Sequence, residues 1–123
     1  MWPWWVHASR YPQDTYKCSL LMKLITGTSK LKLHKCVNCD VLVTCPMSHM
    51  LFECVLLNEK RHILWSEWTM KMPTGFLGSL TLMSPLEKTY FIATGFNVPY
   101  TTEWLDVHSG ALQYIQKMYN LYT

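Results

Sequence analysis

Charge is what this sequence has least of. Asp, Glu, Lys and Arg make up 15% of its 123 residues, where an average soluble domain carries about 25%. No block of five basic residues occurs, so the net charge of +3 permits contact with a phosphate backbone without demanding it. The eight carboxylates are scattered. With no adjacent acidic pair to hold two divalent ions, nucleotidyl transfer by this chain is disfavoured. Glycine is scarce, with five residues, and Gly75-x2-Gly78 lacks the lysine and following helix that a phosphate loop needs. Long apolar runs are missing as well. The longest uncharged stretch, Met72 to Leu86, is broken by Pro73, Gly75 and Pro85 and falls short of the roughly 18 apolar residues of a membrane span, so no membrane partner is expected. The start, Met1-Trp2-Pro3-Trp4-Trp5-Val6, is aromatic and without a basic leader. It predicts no secretory signal, and with it an intracellular, reducing setting in nucleus or cytoplasm.

What is present in excess is aromatic. Six Trp, seven Tyr and four Phe within a half-apolar composition exclude an intrinsically disordered tail. The length fits one domain with a modest core, burying about 65% of the unfolded surface. So few charges beside so many rings sit badly with a self-sufficient, well-solvated monomer.

Three regions differ in pattern. Residues 1–30 hold a Pro-containing aromatic lead-in and then a short helix, in which Leu20, Leu21, Leu24 and Ile25 recur on one face and Gly27 is the stop. Residues 31–56 contain four of the five cysteines, little helical periodicity and the loop-forming Asn38 and Pro46; Val41 to Val43 could form a short extended piece. Residues 57–123 are predicted to be a helical tail. Leu57, Leu64 and Trp68, with Leu56 and Ile63 beside them, oppose Asn58, Glu59, Lys60, Glu67 and Lys71 on an amphipathic helix that ends near Pro73. Ser84-Pro85-Leu86-Glu87 reads as a capping box opening a helix that Gly95 ends. A last helix from Thr101 or Thr102 aligns Trp104, His108, Ala111, Ile115, Met118 and Tyr122. The expected fold class is therefore mainly α, with short helices around a small irregular, zinc-knuckle-like segment.

The most specific feature is Cys36-x2-Cys39-x9-His49-x4-Cys54. Zinc favours four tetrahedral sulfur and nitrogen ligands, and a Cys-x-x-Cys turn lets two thiolates converge while backbone amides bond to the sulfurs. A tight turn entering a helix could bring His49 and Cys54 to the same ion. Such a site is closed and holds shape without activating water. Burial alone is the bland reading of cysteine, and a Cys-x-x-Cys could also be redox-active, although no thioredoxin-type alternation of strands and helices surrounds Cys36. Cys45 could replace either of the later ligands, and Cys18 reads as core.

Other signals are weaker. His7, His34, His62 and His108 have no Asp or Glu at helical spacing that would make a catalytic pair. Lys30, Lys32, His34 and Lys35 form the one local basic cluster, a solvated face or, beside a zinc knuckle, a phosphate contact.

The stretch Leu24-Ile25-Thr26-Gly27-Thr28-Ser29-Lys30-Leu31, then Cys36-Val37-Asn38-Cys39, His49-Met50-Leu51-Phe52-Glu53-Cys54 and Arg61, resembles the C-terminal end of the reverse-transcriptase polyprotein of non-LTR retrotransposons. Met83 to Phe96, Tyr100 to Trp104 and the Tyr- and Met-rich last helix resemble the tails of such elements. The resemblance implies that Cys36, Cys39, His49 and Cys54 bind zinc and help to hold template RNA or target DNA, and that an arginine-bearing helix follows them in sequence. The family's polymerase, endonuclease and ribonuclease H carboxylates have no matching positions here, so it also implies a non-catalytic piece. On this reading Lys30, Lys32, Lys35, Phe52 and Arg61 contact nucleic acid, with Phe52 and Trp65 offering faces to unpaired bases. The alternative is a zinc-braced module whose helical tail, through Trp65, Trp68 and Trp104, docks on a protein partner. A piece cut from a larger assembly would keep exposed aromatic faces and associate without a partner.

Overall fold

The computed structural model describes residues 3–26, 34–36, 39–97 and 104–122. The architecture is mainly α, with one two-stranded hairpin. Helix α1 spans Pro3–Arg10 and α2 Thr15–Thr26, joined by a 3-10 turn at Pro12–Asp14. Strands β1 (His34–Cys36) and β2 (Val41–Val43) pair antiparallel, with His34 opposite Val43 and Cys36 opposite Val41. A short α3 (Pro46–Ser48) runs directly into a π-helical turn, His49–Glu53. After a 3-10 turn at Val55–Leu57 come α4 (Asn58–Thr69), α5 (Thr74–Thr81), α6 (Pro85–Ala93) and α7 (Leu105–Tyr122).

Helix α7 is the axis of the fold, packing against α2, α4 and the π-helical turn. Its buried stripe of His108, Ala111, Ile115 and Met118, with Trp104 and Tyr122 half-buried at the ends, is the one predicted from its four-and-three spacing. Its opening at Thr101 or Thr102 lies outside the described residues, as does the expected stop at Gly27. On α2, Leu20, Leu21 and Leu24 are buried while Ile25 is exposed. Thr15–Thr26 is thus helical as expected, with a narrower apolar stripe.

Helix α4 departs more. Leu56 and Ile63, expected beside the apolar face, are 63% and 47% exposed. Leu57, Leu64 and Trp68 turn inward as expected, and Arg61 joins them, its guanidinium donating to backbone carbonyls. The aromatic lead-in is helical, α1, and α5 forms within the tail expected to be helical, over residues in which no separate helix pattern stands out. Ser84 and Glu87 close their capping box as predicted, the Glu87 amide donating to Ser84 Oγ at 3.2 Å.

Ring N–H and O–H groups tie distant elements together. Trp4 Nε1 donates to the Ile92 carbonyl at 3.1 Å, fastening α1 to α6. Trp68 Nε1 donates to the Val107 carbonyl at 3.1 Å, and its indole lies so close to Gly110 that an added Cβ would fall 2.2 Å from Cδ1. Past α6 the chain reverses through Gly95 (φ 77) and Phe96 (φ 66). A left-handed backbone is unfavourable for a bulky residue. Burial holds it: the Phe96 ring is ringed by Trp4, Trp68, Phe76, Phe91 and His108 at centroid distances of 5.5 to 6.1 Å. His7, fully buried beside Trp4, meets Asp14 at 2.7 Å across the α1–α2 turn. It therefore has a carboxylate partner after all, reached by a chain reversal and not by helical spacing.

Among the described residues no helix is long and apolar enough to cross a membrane.

Candidate metal centre

Two local structures build the site. The first is the hairpin. The Asp40 amide donates to the Cys36 carbonyl at 2.8 Å, and Asp40 has φ 53, a left-handed conformation that Asp tolerates better than most residues. This tight reversal turns Cys39 back toward Cys36. The exposed Lys35 and Asp40 pair at 3.0 Å beside it, a surface contact of little energetic weight.

The second is the π-helical turn. Pro46 opens the helix at a position where its missing N–H costs nothing, and the His49 amide donates to the Cys45 carbonyl at 3.0 Å. The ladder then widens, with the Cys54 amide reaching His49 O at 2.8 Å. At the 3.6 residues per turn of an α-helix, residues five apart point roughly 140° away from each other. The wider i-to-i+5 turn brings them back toward one side. Ser48 Oγ donates to Glu53 Oε2 at 2.7 Å across the same turn.

Cys36, Cys39, His49 and Cys54 converge, their ligand atoms all within 4.8 Å of one another. Cys36 Sγ and Cys54 Sγ are 3.9 Å apart, as are Cys39 Sγ and Cys54 Sγ, and Cys39 Sγ lies 3.8 Å from His49 Nε2. Tetrahedral zinc, with bonds of about 2.3 Å to sulfur and 2.0 to 2.1 Å to nitrogen, requires edges of about 3.8 Å between sulfurs and 3.6 Å between sulfur and nitrogen. The side chains present therefore fit a single ion, and the four could hold one. The sulfurs are far beyond the roughly 2.05 Å of a disulfide. Cys45 stays outside the cluster, half-buried, and Cys18 is core.

The surroundings are those of a structural site. Cys36, His49 and Cys54 are buried and Cys39 is half-buried, so four protein ligands enclose the centre with no position open for a substrate. The Val55 amide donates to Cys39 Sγ at 3.2 Å. In the metal-free cluster burial pushes the Cys54 thiol up to about 11; the Leu56 amide lowers it and the neighbouring thiols raise it further. Tyr122, from the end of α7, covers the cluster with its ring 5.9 Å from that of His49. Burial first, then the adjacent Cys36 and Cys54 thiols, push its hydroxyl up to about 12.

Arg61, expected to face nucleic acid, is turned inward. Its Nε donates to Leu51 O at 3.0 Å and Nη2 to Cys54 O at 2.6 Å, carbonyls that the end of the π-helical turn leaves short of helical partners. Leu51 O also accepts from Tyr114 Oη at 2.6 Å. Arg61 thus fixes the segment that carries two ligands. Phe52 is half-buried, edge-on to Trp65 at 5.5 Å and stacked near Tyr114 at 6.2 Å. Lys35 is exposed beside the hairpin turn, and Lys30 and Lys32 lie outside the described residues. Of the tryptophans expected to dock on a partner, Trp68 is buried in the core, while Trp65 and Trp104 are half-buried and pack against that core with part of each ring still exposed.

Sequence reasoning did not find Tyr122 or Arg61 as supports of this centre. Tyr122 stood on the predicted α7 stripe, and that was its only signal. No protein-family model, no curated protein and no solved structure matches the chain.

Proposed function

We propose that the chain is a non-catalytic, zinc-stabilised nucleic-acid-binding module that takes single-stranded RNA or DNA, in keeping with its resemblance to the C-terminal end of a retrotransposon reverse transcriptase. The observation that supports this reading is the convergence of Cys36, Cys39, His49 and Cys54, whose ligand atoms lie within 4.8 Å of one another. Three sulfurs and an imidazole suit zinc better than the hard, oxygen-preferring cations. The ion would brace the hairpin against the π-helical turn. With the site closed, function falls to the surface around it. One zinc ion should copurify with each chain, and Cys36→Ser or Cys54→Ser should release it and lower affinity for a single strand. Equal affinity in the apo protein and in both variants would overturn the proposal.

A second reading has its own observation. Leu86 and Tyr90, 60% and 72% exposed, share a recess with Leu24, Ile25, Met47 and Ala93, an apolar surface that supports a zinc-braced protein-interaction module. Salt separates the two: strand binding should weaken steeply as salt rises, apolar protein contact much less.

A further inference from the structure

One recess on the α4–α6 side of the metal centre combines ring faces with cations and has no carboxylate in its lining. Phe52, Arg61, His62, Trp65 and Lys88 face a space of about 290 Å³. The Lys88 ammonium stands 5.4 Å from the centroids of both the Phe52 and Trp65 rings. No acidic side chain among the described residues comes within ion-pairing reach of it. A lysine held over aromatic rings without a counter-charge is an anion site beside a stacking surface. The volume lies at the bottom of the range for small-molecule pockets, space for one base and its phosphate and none for a duplex.

We infer that this recess is the subsite for one unpaired nucleotide of a bound single strand, the base lying against Trp65 or Phe52 and Lys88 moving to its phosphate. The inference rests on the proposed nucleic-acid function and gives it a place. Stacking on aromatic faces within a basic groove is how proteins take single strands irrespective of sequence, and an unstacked base is what such a recess can admit. The link to the metal is structural. Phe52 lies inside the π-helical turn between the ligands His49 and Cys54, and Arg61, which lends the recess its charge, holds Leu51 O and Cys54 O. Losing the ion would loosen one wall.

The test is fluorescence anisotropy of a labelled oligouridylate with the zinc-loaded chain across a salt series. Lys88→Gln should weaken binding about tenfold and lower the log–log salt slope by about 1. Lys88→Arg should restore most of both, and Lys23→Gln, on the exposed face of α2, should change neither. Zinc content measured on each variant reports whether its fold is retained. Independently of any variant, a strand with abasic positions should bind the wild-type chain about tenfold more weakly, if stacking contributes as it does elsewhere. If wild type binds the strand but Lys88→Gln or base removal has no effect, the recess is overturned and the broader function stands. If wild type binds no strand at all, or prefers an acidic peptide, both fall.

Discussion

Arg61 shows how one side chain can serve a metal site without touching it. Its planar fork reaches two carbonyls, Leu51 O and Cys54 O, at once, which a lysine ammonium on a flexible stem does not reproduce. Each acceptor keeps a second donor when the guanidinium is removed, Tyr114 Oη for Leu51 and the Leu57 amide for Cys54. The loss is therefore that of charge-assisted bonds and not of wholly orphaned groups. Arg61→Met is expected to destabilise the fold by about 1 to 3 kcal/mol, seen as a lower urea midpoint, and to speed zinc transfer to a colorimetric chelator; Arg61→Lys should repair little of either. At this scale the four residues that could hold a metal were legible in the sequence because metal spacing is written in side chains. The role of Arg61 was not, since the partners that tie it to the metal site are backbone carbonyls that any sequence carries, its one side-chain acceptor being Asn58 on its own helix.

Among the elements, α6 was read most completely from sequence, because its start is a side-chain device. Ser84 and Glu87 satisfy each other's amides, and Ser84→Ala should cost about 1 kcal/mol, measurable as a fall in thermal midpoint with zinc content unchanged. An unaltered midpoint would mean that the cap is idle in solution. The stripe of α7 was equally legible. By contrast α5 was hidden: an added Cβ at Gly75 or Gly78 would meet nothing within 4 Å, so neither glycine is there for packing, and both lower helix propensity. That helix persists because Leu80 is fully buried and Phe76 packs on Phe91, Phe96 and Trp104; tertiary burial overrides local preference. The π-helical turn escaped for a related reason. Its i-to-i+5 ladder suspends the 3.6 period on which a pattern search relies.

For the whole molecule, the aromatic excess has turned inward. Trp4 and Trp68 are buried, and Trp65 and Trp104 pack against the main cluster, which draws residues from Trp4 to Met118. Trp5, Tyr16 and Tyr90 stay exposed, but the other large exposed apolar side chains are aliphatic, led by Leu82 at 89% and Met70 at 85%. The metal centre has its own small cluster of Cys36, Val43 and Cys54, with Tyr122 against it. Two cores of unequal size, bridged by the π-helical turn and by α7, make α7 a graded reporter. Amide hydrogen exchange along it should be slowest from Ala111 to Met118, where opening requires disrupting the main core, and chelation should leave those amides protected. The last turn, through Tyr122, should exchange markedly faster once the ion is gone, because local opening there no longer has to break the centre it covers. Uniform acceleration along all of α7 would show instead that the two cores melt as one. The helix can thus be read as a ruler, with the state of the metal marked at one end and the stability of the fold at its middle.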